Sequence, residues 1–205
     1  EIEAVVLYCY IVTNRPKTVI QIGCGVSTAI ILEAAKMANY PLNVICIEPY
    51  PTEYLTKLAG ENKIKLIQEK AQIVSSDVFA QLNDSDFLFI DSTHTVKPGS
   101  EVNRIILEIL PALAKGVTVH FHDINFPYDY SRNILSGDLF FWLETTLLHA
   151  FLIGNSNYSI EMSLSMLHYS QPYLIKEAIS IYQPDQNNFG LGSDNKKHFP
   201  SSIYL

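Results

Sequence analysis

The sequence predicts an α/β fold in which a doubly wound, mostly parallel sheet carries helices on both faces. Short β-rich runs alternate with helical segments along the 205 residues, and connections of that length join parallel strands. The run at 87–90 is apolar at every position, which suits a central strand covered on both sides. A chain of this length buries about 70% of its unfolded surface, so we expect a single domain over 1–205.

Seven strands are predicted from short apolar or β-branched runs that end at glycine, proline or a polar residue. The first is followed by Gly23, the second by Glu48 and the fourth by Asp91. In such sheets ligands bind beyond the carboxyl ends of the strands, so these residues are expected to border a site. The strands are predicted at 18–22, 43–47, 64–68, 87–90, 117–121, 158–164 and 202–205.

Apolar residues at helical spacing predict the segments between the strands. The segment 98–113 has clear boundary signals, since Pro98 and Gly99 open it and Gly116 follows its end. The N-terminal segment 1–15 is predicted to be a helix that either packs on the sheet or covers a second copy of the chain. Other helices are predicted at 26–37, 52–59, 77–82 and 139–152, an active-site loop at 123–138 and a surface excursion at 183–193.

The composition argues against several classes of protein. The net charge is -7, and no run of basic residues would follow a phosphate backbone, so nucleic acid is not expected as a partner. No apolar stretch is long and uncharged enough to span a bilayer. Three cysteines without metal-binding spacing, and no visible signal peptide after Glu1, predict a reducing, cytoplasmic compartment.

A glycine turn after the first strand is the candidate cofactor site. Gly23 and Gly25 let the backbone turn tightly beside a ligand, and the next helix offers free N–H groups. A plain strand-to-helix turn is the alternative. Glu48 follows Gly25 by 23 residues, about the spacing at which an acid binds ribose hydroxyls. The alternative is that Glu48 is a solvated carboxylate at the end of the strand. Thr28 replaces the Gly or Ala of dinucleotide sites, which favours a ligand without phosphates, such as S-adenosylmethionine.

Several motifs are shared with a known family along nearly the whole chain. They lie at 20–28, 47–51, 87–94, 96–100, 122–124, 127–130 and 201–205. Together they resemble the class I S-adenosylmethionine-dependent methyltransferases, in a bacterial subgroup near the macrocin O-methyltransferases and cephalosporin hydroxylases. The resemblance implies a Rossmann-like seven-stranded fold, S-adenosylmethionine as cofactor, and methyl transfer to a small-molecule acceptor.

The resemblance also assigns residues to the cofactor. Gln21 stands where the family commonly has Glu or Asp, and it can still hydrogen-bond an ammonium group without adding charge. Gln72 would line the adenine by resemblance alone, with a surface role as the alternative. The full predicted cofactor set is Gln21, Gly23, Cys24, Gly25, Ser27, Glu48, Pro49, Gln72 and Asp91.

The reactive half of the site is predicted at the ends of two neighbouring strands. Asp91 closes an apolar strand, where a carboxylate needs a partner, and His94 follows it. Asp91 and His94 are the predicted catalytic residues, the latter as a general base. Asp91, His122 and Asp123 are predicted to hold a divalent metal, and metal-dependent relatives place acidic ligands at these strand ends. The alternatives are that Asp91 only caps the following turn or holds the cofactor, and that His94 is a hydrogen-bonded structural imidazole.

Two further alternatives concern neighbouring residues. His120 and His122 share one face of a strand, so one of them is a candidate core histidine. In the loop, Tyr128, Tyr130 and Arg132 are predicted to contact the substrate, with packing against the helix at 139–152 as the alternative.

Methyl transfer to a hydroxyl is therefore the leading hypothesis. The alternatives are a metal-dependent hydroxylase-like reaction on the same scaffold, or a module that binds a nucleoside without turnover.

Overall fold

The computed structural model describes residues 2–130, 142–182 and 200–205. Within these ranges the sheet contains β1 (Thr18–Ile22), β2 (Asn43–Ile47), β3 (Lys65–Ile67), β4 (Phe87–Ile90), β5 (Thr118–His122), β6 (Met162–Ser163) and β7 (Ser202–Tyr204). The helices are α1 (Ile2–Asn14), α2 (Val26–Met37), α3 (Glu53–Gly60), α4 (Ser76–Phe79), α5 (Glu101–Arg104), α6 (Leu110–Ala112), α7 (Glu144–Leu152), α8 (Leu164–Ser170) and α9 (Pro172–Ala178). Among the described residues no helix is long and apolar enough to cross a membrane.

The seven strands form one sheet in the order β3-β2-β1-β4-β5-β7-β6. Strands β1 to β5 pair in parallel, while β7 is antiparallel to β5 and β6. The chain moves outward from β1 to β3 and then returns to β4 on the other side of β1. This reversal creates the crevice in which doubly wound sheets bind ligands. The predicted fold class is confirmed.

Alternate residues of the central strands supply two separate cores, one on each face of the sheet. Ile20 and Leu88 belong to the core that contains Val102 from α5. Val19 and Phe87 belong to the opposite core, together with residues of α1, α2 and α3. Because side chains alternate along a strand, a strand that is apolar throughout can fill both cores.

Two boundaries on the reactive side differ from the prediction. β5 begins at Thr118, one residue later than expected, because the Val117 N–H bonds the carbonyl of Ala114 in a turn. At its other end the strand extends to His122, which pairs with Ser202 of β7. The predicted helix at 98–113 begins only at Glu101, because the Ser100 side chain caps it by accepting a hydrogen bond from the Asn103 N–H.

That helix also contains a π-helical segment, Ile105–Ile109, between α5 and α6. Pro111 follows the segment. Pro111 lies in the first turn of α6, where its missing N–H is tolerated. In the middle of a regular α-helix its ring would clash with the carbonyl four residues earlier, and the wider π turn precedes it.

The C-terminal part departs most from the prediction. The expected strand at 158–164 is reduced to Met162–Ser163, because the Ser163 hydroxyl accepts the Met166 N–H and starts α8. Neither α8 nor α9 was predicted. The short predicted helix at 77–82 is Ser76–Phe79, and the helix expected at 139–152 is observed as Glu144–Leu152. Residues 139–141 and the excursion at 183–193 lie outside the described residues.

The close approach of the turn after β1 to the end of β4 requires a glycine at position 23. Its φ is +77°, and a Cβ there would lie 1.7 Å from the Asp91 carbonyl oxygen. We expect Gly23→Ala to lower the free energy of unfolding by about 2 kcal/mol or more. Gly60→Ala is the matched control, because a Cβ there meets no atom of the described residues within 4 Å and helix propensity favours alanine by about 1 kcal/mol. Equal denaturant midpoints for Gly23→Ala and the wild type would contradict the expectation.

Candidate active site

The glycine turn and the ends of β2 and β4 are joined through the backbone. The Gly23 N–H donates to the carbonyl of Ile47 at 3.2 Å, and the Asp91 N–H donates to the carbonyl of Ile22 at 2.9 Å. Glu48 accepts hydrogen bonds from the N–H groups of Cys24 at 3.4 Å and Tyr50 at 2.9 Å. A carboxylate has about four lone-pair positions, so Glu48 keeps acceptor capacity for a ligand.

Gln21 lies fully buried beneath the start of α2. Its side-chain N–H donates to the Ser27 hydroxyl at 3.0 Å, whereas its buried Oε1 has no hydrogen-bond partner within the described part of the chain. Thr28 accepts the Gly25 N–H at 3.3 Å, which explains why threonine suits a position that is Gly or Ala in dinucleotide sites. Hydrogen bonding with Cys46, together with burial, raises the pKa of Cys24, so its sulfur remains a thiol at neutral pH.

The loop after β3 is held by α5. The Gln72 side chain donates to Glu101 at 2.8 Å, and Glu101 also accepts the Thr93 N–H at 3.0 Å. The Arg104 guanidinium donates to the carbonyl of Ala71 at 2.5 Å and to that of Val74. Glu101 is buried, and its hydrogen bonds with Gln72 and Thr93 connect the exits of β3 and β4. The position of Glu101 in the first turn of a helix did not predict this role.

Four predicted residues converge at the ends of β4 and β5, and we call them the polar cluster: Asp91, His94, His122 and Asp123. The His94 Nε2 lies 3.5 Å from Asp91 Oδ1 and 3.7 Å from Asp123 Oδ2. The His122 Nδ1 lies 3.2 Å from Asp123 Oδ1 and 3.7 Å from Asp91 Oδ1. Two histidines and two carboxylates thus surround one point at the carboxyl edge of the sheet.

Glu144, at the start of α7, is a member of this site that the sequence analysis missed. Its carboxylate is fully buried, and Oε2 lies 2.6 Å from His94 Nδ1. His94 has a left-handed backbone with φ +58°, and its ring lies 4.8 Å from that of Trp142. The available signal was an acid directly after Trp142 and Leu143 at a helix start, because an acid next to apolar residues needs a partner if it is buried.

The carboxylates control the charge of His94. Burial lowers its pKa, but hydrogen bonds with Asp91 and Glu144 outweigh burial and raise the pKa to about 10. His94 is therefore protonated at neutral pH in this state. Burial raises the pKa of Glu144, although His94 opposes the shift. Burial also favours the neutral form of Asp123, yet a hydrogen bond and charge from His122 lower its pKa overall.

His120 and His122 have different environments although they share one face of β5. Burial lowers the pKa of His120 well below its ordinary value, and the ring stacks on Phe89 at 4.6 Å. His122 reaches the polar cluster instead, and its pKa is raised because Asp123 outweighs burial. His120 is thus the buried core histidine of the two.

Asp91, His122 and Asp123 fit a metal ion by their donor atoms. Each offers one ligand atom, and the three atoms lie within 4.8 Å of one another. Two carboxylates and one imidazole suit a divalent ion that accepts mixed oxygen and nitrogen ligands, such as Mn²⁺, Fe²⁺ or Zn²⁺. Asp123 is oriented by the Ser201 hydroxyl, which donates to Oδ1 at 3.0 Å.

The described part of the loop packs against the neighbouring helices. The Tyr130 hydroxyl accepts the Thr145 N–H at 2.8 Å, and the Tyr128 ring meets that of Tyr169 edge-on at 4.6 Å. These contacts agree with the packing alternative for both tyrosines, and contact with a substrate stays a prediction. Arg132 lies outside the described residues.

Comparison with known proteins identifies the family. The family model described as "Methyltransferase domain" matches residues 20–124, just over half of the chain. The chain belongs to this methyltransferase family. An uncharacterized protein from Archaeoglobus fulgidus is 26% identical over 106 residues, which cover 51% of this chain and 46% of that protein. The chain therefore spans less than half the length of this curated relative.

Solved structures share the fold of this methyltransferase domain. The SAH-bound methyltransferase PaMTH1 from Podospora anserina has a TM-score of 0.53 and 15% identity, covering 77% of this chain and 71% of that chain. The plantazolicin methyltransferase BpumL, in complex with SAH (S-adenosylhomocysteine) and a triazolic desmethylPZN analog, has a TM-score of 0.54 and 14% identity. That comparison covers 99% of this chain and 81% of BpumL.

The raised pKa of His94 predicts a specific pH dependence of stability. The pKa rises from 6.5 to about 10 on folding, so protonated His94 stabilises the fold below pH 6.5, and this contribution is lost as the pH approaches 10. We expect His94→Asn, which tolerates the left-handed backbone, to cost at least about 2 kcal/mol more at pH 6 than at pH 10.

Chemical denaturation at the two pH values measures this difference. Lys36→Gln is the control, because Lys36 is exposed and pairs with Glu33 on the surface, where ion pairs contribute little. A loss for His94→Asn that is the same at both pH values would show that His94 is not held protonated by the carboxylates.

Proposed function

We propose that this domain transfers a methyl group from S-adenosylmethionine to a hydroxyl of a small-molecule acceptor. The observation that carries the proposal is the position of the polar cluster directly beside the glycine turn. Gly23 is in contact with the Asp91 backbone, so a cofactor on the turn and an acceptor at the cluster would share one crevice. Membership of the methyltransferase family supports the reaction type.

The residues present fit the cofactor. The buried, unpartnered Oε1 of Gln21 suits the ammonium of the methionine part. Glu48 has acceptor capacity for the two ribose hydroxyls, and the start of α2 offers backbone N–H groups. PaMTH1 and BpumL were both solved with SAH, and we extend that ligand class to this chain as part of the proposal.

The chain's own residues would orient the acceptor and remove its proton. When bound, S-adenosylmethionine supplies a methyl group that its sulfonium already activates. Asp91 and His94 would hold the acceptor hydroxyl in line with that group. Nε2 of His94, steered by Glu144 on Nδ1, would accept the hydroxyl proton once the imidazole is neutral. A positive charge near Asp91 and Asp123 offsets the carboxylates and thereby lowers the pKa of His94.

A divalent metal held by Asp91, His122 and Asp123 would supply such a charge and would also lower the pKa of a nearby hydroxyl. O-Methylation is favoured over other methyl transfer because the cluster combines a base with candidate metal ligands, either of which helps a hydroxyl to lose its proton. A Staphylococcus aureus protein assigned as a caffeoyl-CoA O-methyltransferase shares the fold, with a TM-score of 0.50 and 16% identity over 78% of this chain and 77% of that chain. We further propose membership of the macrocin O-methyltransferase subgroup that the motifs resemble.

Glu48→Ala tests the cofactor part of the proposal. Loss of two hydroxyl hydrogen bonds is expected to raise the Kd for S-adenosylhomocysteine about 30-fold or more, measured by calorimetry. Glu53→Ala removes a nearby exposed carboxylate and is expected to leave the Kd unchanged. An unchanged Kd in Glu48→Ala would remove Glu48 from the site.

Asp91→Asn tests the reaction itself. With S-adenosylmethionine and a panel of hydroxylated acceptors, we expect kcat to fall about 100-fold or more while the Kd for S-adenosylhomocysteine stays within about threefold. The exposed Asp77→Asn is the control. Chelation with EDTA is expected to slow the wild type, and Mn²⁺ should restore the rate better than Mg²⁺, because His122 is a nitrogen ligand.

Other results would contradict separate parts of the proposal. A rate that EDTA does not change would contradict metal assistance but not methyl transfer. Acceptor hydroxylation without consumption of S-adenosylmethionine would favour the hydroxylase-like alternative, and cofactor binding without turnover of any acceptor would favour a binding module.

A further inference from the structure

A cavity of about 290 Å³ lies between α1, α2 and the ends of β4 and β5. Asp91 and His122 border it, so it adjoins the polar cluster, and Ser27 borders it on the side of the glycine turn. The cavity is large enough for a ligand, because a cavity of about 150 Å³ holds benzene.

His120 lines this cavity and has unsatisfied hydrogen-bonding groups. The residue is fully buried, and neither ring nitrogen has a hydrogen-bond partner among the residues that the structure describes. Phe89 stacks against the ring and Tyr204 meets it edge-on, both at 4.6 Å. Buried polar atoms without partners are rare in native structures and costly. An imidazole offers a donor and an acceptor when neutral, and a hydroxyl can satisfy either one.

The remaining lining defines the ligand's charge and polarity. Glu3 from α1 and Asp91 place carboxylates at the cavity, which disfavours an anionic ligand and favours a hydrogen-bond donor. Leu7, Val26 and Phe89 supply apolar walls. An apolar lining with a few polar groups suits a ring with one or two hydroxyls better than a sugar, whose many hydroxyls need more partners.

We propose that this cavity binds an uncharged phenol with two hydroxyls, one bonded to His120 and the other directed to Asp91 at the polar cluster, and with its ring between Leu7, Val26 and Phe89. The inference rests on the proposed function, because it makes this phenol the methyl acceptor. It names the acceptor class, and it assigns α1 and His120 to substrate recognition.

Ligand-observed NMR on the full chain tests the proposal with three probes of one size. We expect 4-methylphenol to bind about tenfold more tightly than toluene, and 4-methylbenzoate to bind more weakly than 4-methylphenol. His120→Phe keeps an aromatic ring but removes both nitrogens, and it should reduce the preference for 4-methylphenol over toluene to about twofold or less. Ala4→Phe fills the cavity from α1 and should abolish binding of all three probes.

Cys9→Phe is the matched control, since Cys9 is exposed on the same helix and should leave probe binding unchanged. Equal affinities of wild type for 4-methylphenol and toluene would overturn the proposal without any variant. An unchanged probe affinity in a folded Ala4→Phe would also overturn it. A loss of S-adenosylhomocysteine affinity in Ala4→Phe, with competition between that compound and 4-methylphenol, would assign the cavity to the cofactor instead. If the chain binds 4-methylphenol but not S-adenosylhomocysteine, the proposed phenol site stands and the proposed methyl transfer is rejected.

Discussion

The buried contact between Glu144 and His94 is the constraint on which the reactive site depends. A carboxylate without access to water is very costly unless a cation or donor neutralises it, and His94 provides that partner at 2.6 Å. To do so, the backbone after β4 turns into a left-handed conformation at His94. The carbonyl of His94 then accepts the Leu143 N–H at 3.1 Å, which fixes the start of α7 over the site. Nε2 of the same ring is left facing Asp91 and Asp123.

Much of the fold could be predicted because the strands are short, apolar and clearly bounded. The run at 87–90 has one interpretation, a strand between two cores, and the structure confirms it. The errors lie where one side chain overrides the pattern. Ser163 ends β6 after two residues because its hydroxyl caps α8, and apolar content alone could not distinguish a longer strand from that helix. Ser100 likewise moves the start of α5 past Pro98 and Gly99.

The candidate site was predictable to the extent that strand ends define it. Asp91, His94, His122 and Asp123 converge because β4 and β5 are parallel neighbours, and parallel neighbours bring their carboxyl ends to one edge. Glu144 was not predictable in this way, since it meets His94 from 50 residues further along the chain on a helix whose packing the sequence does not encode locally. Glu101 was missed for the same reason, because its buried contacts with Thr93 and Gln72 join two loops.

The glycine turn and the polar cluster are held together by different kinds of bond, so a change of pH affects them unequally. Around the glycine turn, main-chain hydrogen bonds join the exits of β1, β2 and β4, and these bonds do not titrate. At β5 the order depends on ionised side chains, with Asp123 held between His122 and Ser201. The pKa of Asp123 is lowered, so this carboxylate stays ionised in mild acid, whereas high pH removes the proton of His94 and leaves the buried carboxylate of Glu144 without its cationic partner. Alkaline protein would then lose the order of the reactive half first, while the main-chain bonds that shape the nucleoside pocket persist.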